Sequence, residues 1–158
     1  MKQNWLNQIP REKGWYISGF TDGEGSFNVS LVKRNDYRLG WRVVPIFNVS
    51  QRDITVLFLI KKYLGCGRIQ HRKDGLNMYI VENLSAIQEK VIPFFKKFSL
   101  LSSKGKTNFS IFCQIVKLLD QDGKMEKDRL IEICKLREKL NKGRGRTGKY
   151  NLSDITKT

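Results

Sequence analysis

The periodicity of Trp15-Tyr16-Ile17-Ser18-Gly19-Phe20-Thr21-Asp22-Gly23-Glu24-Gly25-Ser26-Phe27 changes part-way along, and that change limits what the chain can build. The stretch begins as a helix: Pro10 suits a first helical turn, and Trp15, Ile17 and Phe20 supply apolar bulk. Asp22-Gly23-Glu24-Gly25 is expected to end it, because two glycines free the backbone for a tight reversal. From Ser26 the residues alternate as in a strand. Two acids therefore stand between glycines at a helix-to-strand corner, where a carboxylate can approach a metal or phosphate without side-chain crowding. Gly14 and Ser18 lie four apart and Thr21 follows three later, so they share a helix face that admits another helix closely. That neighbour could belong to the same domain or to a second chain.

The strand pattern continues. Ser26 to Arg34 puts Phe27, Val29 and Leu31 on one face and Ser26, Asn28, Ser30 and Arg34 on the other, with Val32 interrupting the polar row. A second strand, from about Leu39 to Gln51, places Trp41, Val43, Phe47 and Val49 opposite Arg42, Asn48 and Ser50, which keep company with Val44 and Ile46. Asp53 reads as the N-cap of a helix that Gly65 stops. Gly67 to Arg72, the turn Lys73-Asp74-Gly75 and Leu76 to Val81 form a second hairpin. Arg68, Gln70 and Arg72 share one face of it. Two hairpins predict a four-stranded antiparallel sheet.

The rest is predicted to be mostly helical. Ser85-Ala86-Ile87-Gln88 resembles a capping box, Pro93 starts or kinks the following piece, and Ser102 to Lys106 reads as a basic loop. Phe109, Phe112, Val116 and Leu119 recur at helical spacing, and a last helix runs near Glu126 to Leu140. Residues 1–142 read as one domain, followed by a basic, Gly/Arg-rich tail over 143–158.

Lys and Arg number 30 against 15 acids, a formal charge of +15 over 158 residues, which favours a polyanionic partner, nucleic acid before membrane. The longest apolar run, Val56-Leu57-Phe58-Leu59-Ile60, is far too short for a bilayer, and the N-terminus lacks a signal-peptide core. Cys66, Cys113 and Cys134 are odd in number with no CxxC pair, which suits a reducing, intracellular compartment rather than a disulfide framework. With His71 the only histidine, chemistry must lean on carboxylates, a metal, and Lys or Arg. The polar sheet face, Ser26, Asn28, Ser30, Arg34, Arg42, Asn48, Ser50, Arg68, Gln70 and Arg72, carries the groups that pair with base edges, and acids are nearly missing from it.

Ile-Ser-Gly-Phe-Thr-Asp-Gly-Glu-Gly-Ser-Phe, residues 17–27, resembles the signature of the LAGLIDADG homing endonucleases, site-specific DNA nucleases usually encoded in introns or inteins. The resemblance implies an α+β fold of αββαββα type, with helices on one face of a saddle-shaped sheet whose other face follows a major groove of double-stranded DNA. It implies that the last acid, Glu24, binds the catalytic Mg²⁺, with Mn²⁺ as a substitute, beside the Gly23 carbonyl. Gln51 would position the attacking water, and Lys104 (or Lys106, since the match there is loose) would stand near the scissile phosphate. With one copy of the motif the chain is expected to act as a homodimer through Gly14, Ser18, Gly19, Thr21 and Asp22, on a near-palindromic site. The family also contains intron RNA maturases, so structured intron RNA is an alternative partner, and a non-cleaving DNA binder is a third reading. Family habit places such a protein in an organelle if the source is eukaryotic.

Overall fold

The computed structural model describes residues 4–142 and 148–157. A short helix α1 (Asn4–Asn7) precedes α2 (Arg11–Glu24), which Pro10 caps rather than enters. The helix ends inside the expected acidic stretch, running through Asp22 and Gly23 to Glu24, and Gly25 starts strand β1 (Gly25–Lys33) directly. Gly25 has ordinary extended dihedrals, φ −87° and ψ 166°, so the expected glycine reversal is absent. What requires glycine there is space, since a Cβ would lie 2.6 Å from Thr21 Cγ2 and 2.8 Å from its carbonyl oxygen.

Strands β2 (Trp41–Gln51), β3 (Arg68–His71) and β4 (Asn77–Val81) complete an antiparallel sheet in the order β1-β2-β4-β3. Pro45 sits in mid-strand opposite Val29, but β4 pairs with β2 only from Phe47 onward, so Pro45 lies where β2 has a single neighbour. That is where a strand tolerates a missing N–H. Between the hairpins lies α3 (Ile54–Leu64), capped by Asp53, which accepts from Thr55 N at 2.9 Å, and by Gly65 at φ 68°. Both expected caps are present.

The inner face of the sheet carries Phe27, Val29, Phe47, Val49, Tyr79 and Val81, all buried. Phe27 stacks on Phe47 at 5.2 Å and meets Phe95, Phe109 and Phe112 from the helices above. Each such ring contributes ~2–3 kcal/mol by leaving water. Burial pushes the Cys113 and Cys134 thiols up to about 11, so both stay protonated at neutral pH.

After β4, Asn83 rather than Ser85 caps α4 (Leu84–Ala86), its side chain accepting from Ala86 N. A π-helical turn (Ile87–Val91) follows and leads into α5 (Ile92–Lys97), which carries Pro93 in its first turn. The wide turn, in which Ile92 N reaches Ile87 O, makes room where the Pro93 ring would meet the carbonyl of Glu89. Next comes α6 (Ser103–Leu119), so most of the expected basic loop is its first turn, with Ser102 as N-cap. Helices α7 (Lys127–Lys139) and α8 (Leu152–Thr156) finish the fold.

The segment expected as a tail is in part structured. Residues 143–147 and 158 lie outside the described residues, but α8 carries a complete capping box from Asn151 and Asp154. Ile155 joins Leu31, Trp41, Leu130 and Cys134 in a second buried cluster, and Tyr150 packs edge-on to Trp41 at 4.9 Å. Along the outer edge of β1, Arg137 donates to Val29 O and Asn141 to Phe27 O. Among the described residues no helix is long and apolar enough to cross a membrane.

Candidate active site and nucleic-acid face

Asp22 ties the end of α2 to the start of α6. Its carboxylate accepts from Leu101 N at 3.1 Å, from Ser102 N at 2.8 Å and from the Ser102 hydroxyl at 2.5 Å, while Ser102 Oγ accepts from Gly105 N. Burial alone would raise the Asp22 pKa, but the Ser102 and Leu101 hydrogen bonds, helped by the charge of Lys106, hold it below the ordinary aspartate value. A Cβ on Gly105 would strike Asp22 Oδ1 and lie 2.9 Å from Ser102 Oγ, so only glycine lets the carboxylate in. Asp22 thus shapes the start of the adjoining helix.

The contact fixes Lys104 on the first turn of α6. Lys104 lines a recess of about 90 Å³ with Asp22, Gly23, Ser26 and Asn108, whereas Lys106 does not reach it. With Lys104 and Lys106 both in its first turn, and no acid there, α6 opens with two cations where the helix dipole is already positive. That arrangement disfavours the free helix slightly and suits an anion. Glu24, exposed, ends α2 beside it. Gln51 lies two residues beyond Val49, the partner of Gly25, and so occupies the same end of the sheet; its Oε1 accepts from Arg52 N at 2.8 Å. Glu24, Gln51 and Lys104 therefore come to one end of the molecule, from α2, β2 and α6.

The two sides of α2 are unlike. Gly14 packs against the Phe98 ring so tightly that a Cβ would overlap it, Ser18 donates to Ser99 O at 3.1 Å, and Thr21 is buried. With Asp22 engaged as above, four of the five residues expected at a chain-to-chain contact are turned into their own chain. Gly19 is the exception. Around Gly19 and Gly23 nothing lies within 4 Å of a built Cβ, and Tyr16, stacked on Phe20 at 6.3 Å, stands half exposed on the same side.

The outer face of the sheet carries the expected polar set by strand parity, but several of its members are already engaged. Arg34 pairs with Asp36 at 2.8 Å, Arg68 with Glu82 at 2.8 Å and Arg72 with Asp74 at 3.0 Å. Asn28 donates to Ser26 Oγ at 2.8 Å and accepts from Asn141 Nδ2 at 2.9 Å, and Ser26 is largely buried. Ser30, Arg42, Asn48, Ser50 and Gln70 complete the face, with register pairs Ser30 to Val44, Ser26 to Asn48 and Ser50 to Met78. The near-absence of acids holds for the strands and fails for the turns beside them.

The sequence profile of the LAGLIDADG endonuclease family matches residues 17–116, from the middle of α2 into α6. The chain belongs to that family. It is 32% identical over 144 residues to the homing endonuclease I-ApeII of Aeropyrum pernix, covering 90% of this chain and 79% of that protein. It is also 32% identical to a probable intron-encoded endonuclease of Neurospora crassa, spanning only 32% of that longer protein. Among solved structures, the archaeal intron-encoded homing endonuclease I-Vdi141I in complex with DNA superposes with a TM-score of 0.82 at 30% identity, over 92% of this chain and 93% of that one.

Within this LAGLIDADG chain, Ser102, Gly105, Asn141 and Glu82 were not singled out from sequence. Ser102 followed three residues later by a glycine N–H it can accept is a capping signal in principle. Asn141, at φ 54°, hydrogen-bonds Asn28 from 113 residues away, and no local pattern announces that.

Proposed function

We propose that the chain is a site-specific double-strand DNA endonuclease acting as a homodimer, its two α2 helices packed through the side that bears Gly19 and Gly23. The observation that carries this is the bare glycine side of α2 ending on exposed Glu24. Two positions without Cβ atoms on one side of the helix let a two-fold copy approach closely, and a two-fold axis there brings both Glu24 carboxylates together. Among the described residues no three metal-ligating side chains converge within one chain, so Glu24 fits a divalent ion only with its copy beside it. The residues fit Mg²⁺ on those terms: two hard carboxylates, the Gly23 carbonyl and two helix C-termini of negative polarity.

Bound there, Mg²⁺ would lower the pKa of a water and neutralise developing charge on phosphate oxygen. Glu24 would hold the ion at the end of α2. Gln51 positions the attacking water by hydrogen bonding from the neighbouring strand end. Lys104, braced by Asp22 and Ser102, stabilises negative charge on the scissile phosphate, an effect worth ~3–4 kcal/mol for a preorganised donor. The outer sheet face then reads one half-site per chain, and the basic surface holds the phosphates. Intron-encoded proteins occur among its relatives in both a fungus and an archaeon, so the compartment follows the gene that hosts it.

The test is cleavage selection on a plasmid library of near-palindromic sites with Mg²⁺, beside Glu24→Gln. The expected outcome is a long discrete site cut by the wild type, with binding retained and cutting lost by about 10³-fold or more in the variant. Cutting by Glu24→Gln at the wild-type rate, or a monomeric mass at micromolar concentration, would refute the assignment.

A further inference from the structure

We propose that the outer sheet face contains a site for pyrimidine C5-methyl groups, built from Val32, Val44, Ile46, Met78 and Ile80, and that thymine supplies the methyl; the inference rests on DNA being the ligand of that face. Register puts these five on one side: Val32 lies opposite Arg42, Val44 opposite Ser30, Ile46 opposite Asn28, and Ile80 and Met78 opposite Asn48 and Ser50. They form a stripe across β1, β2 and β4 with polar residues on either flank. Val44 and Ile80 are nearly covered, at 8% and 7% exposure, and make its floor, while Val32 stands 40% exposed. A recess of about 550 Å³ opens over Val32, Val44 and Ile46, rimmed by Ser30, Arg42 and Glu82.

Single apolar residues on a surface carry no message, but a connected stripe on the outer sheet face of a strongly basic chain needs a partner. Charge selects that partner as a polyanion: the protein carries +15, Arg42 stands at the rim, and Glu82 is neutralised by Arg68 at 2.8 Å. On DNA the major groove offers hydrogen-bonding atoms almost everywhere, and its one apolar group is the C5-methyl of thymine. Polar neighbours such as Asn48 and Gln70 then read the flanking base pairs, and the stripe reads methyls between them. The prediction is a short thymine-bearing block in each half-site, at positions insensitive to loss of hydrogen bonds and sensitive to loss of a methyl.

The experiment selects tight-binding duplexes from a random library with the wild-type protein under a chelator, then resynthesises the best duplex with deoxyuridine at each thymine in turn. Two or three adjacent substitutions per half-site should each weaken binding about fourfold, the effect of one methyl leaving an apolar contact. In Val32→Ser, at an exposed position that spares the fold, at least one of those penalties should vanish. Unchanged affinity on every deoxyuridine duplex overturns the methyl site while leaving duplex recognition intact. Persistence of every penalty in Val32→Ser, Ile46→Ser and Met78→Ser alike overturns the assignment to this stripe. Tighter binding on 5-methylation of a selected cytosine, with no deoxyuridine effect, overturns thymine as the source. Failure to enrich any duplex, where structured RNA binds at the same salt, overturns both this site and the proposed function.

Discussion

The two sides of α2 use the same residue type for opposite ends. On the inner side Gly14 is glycine because the Phe98 ring occupies the place of a side chain; on the outer side Gly19 and Gly23 face open space. One surface is finished by the chain itself and the other is left bare. Small residues at helical spacing therefore mark close approach without naming the partner, and only the third dimension separates the two cases.

Identical substitutions should separate the sides. Gly14→Ala is expected to lower the unfolding free energy by about 2 kcal/mol, because a packed ring must move, as read by urea denaturation. Gly19→Ala should instead leave the monomer as stable or up to ~1 kcal/mol more so, through helix propensity. Gly19→Leu keeps the monomer folded and should raise the dimer dissociation constant at least about tenfold by sedimentation, with cleavage falling in step. A dimer unaffected by Gly19→Leu would move the interface off this side of the helix.

Asp22 allows a sharper, smaller test. Asp22→Asn removes charge-assisted hydrogen bonds to Leu101 N and Ser102 N and should cost about 1 kcal/mol, discounted for partial exposure. Cleavage should fall as well, since Lys104 loses its brace. Because the folded carboxyl titrates below its ordinary value, its contribution is fully present above about pH 5 and declines as pH falls through ~3.9 towards the lower folded value. The acid limb of a stability-against-pH curve should flatten in Asp22→Asn. A few-fold tightening of the chelator-treated dimer is expected for Glu24→Gln, since two like charges no longer meet on the axis; no change at low salt would place the two carboxylates apart.

Much of the fold was legible. Period-two alternation in β1, β2 and β3 assigned the sheet faces, and Asp53 and Gly65 announced the ends of α3 through cap chemistry. Three features were not legible for a common reason. Glycines at 23 and 25 suggest a tight reversal, yet the helix ends at Glu24 and passes straight into strand, because what they relieve is contact with Thr21 or with nothing at all. The loop at 102–106 became a helix start because Asp22, some 80 residues earlier, fixes its cap. Arg34, Arg68 and Arg72 have the parity expected of free recognition groups, but hairpin turns bring Asp36 and Asp74 beside two of them, and Glu82 just past β4 takes the third. The motif and its resemblance pointed to Glu24 and Gln51, and the β1–β2 register puts both at one end of the sheet; the stripe through Val32 and Ile46 was visible only as an interruption.

The edge of β1 is guarded against open-ended strand addition. Nine residues of unpaired strand would be a template for an incoming chain, and repetition of that contact would grow a fibre without end. Arg137 and Asn141 occupy its Val29 and Phe27 carbonyls, removing the ladder from offer. A strand that would otherwise invite open-ended pairing is thereby withdrawn from chains that meet it at random.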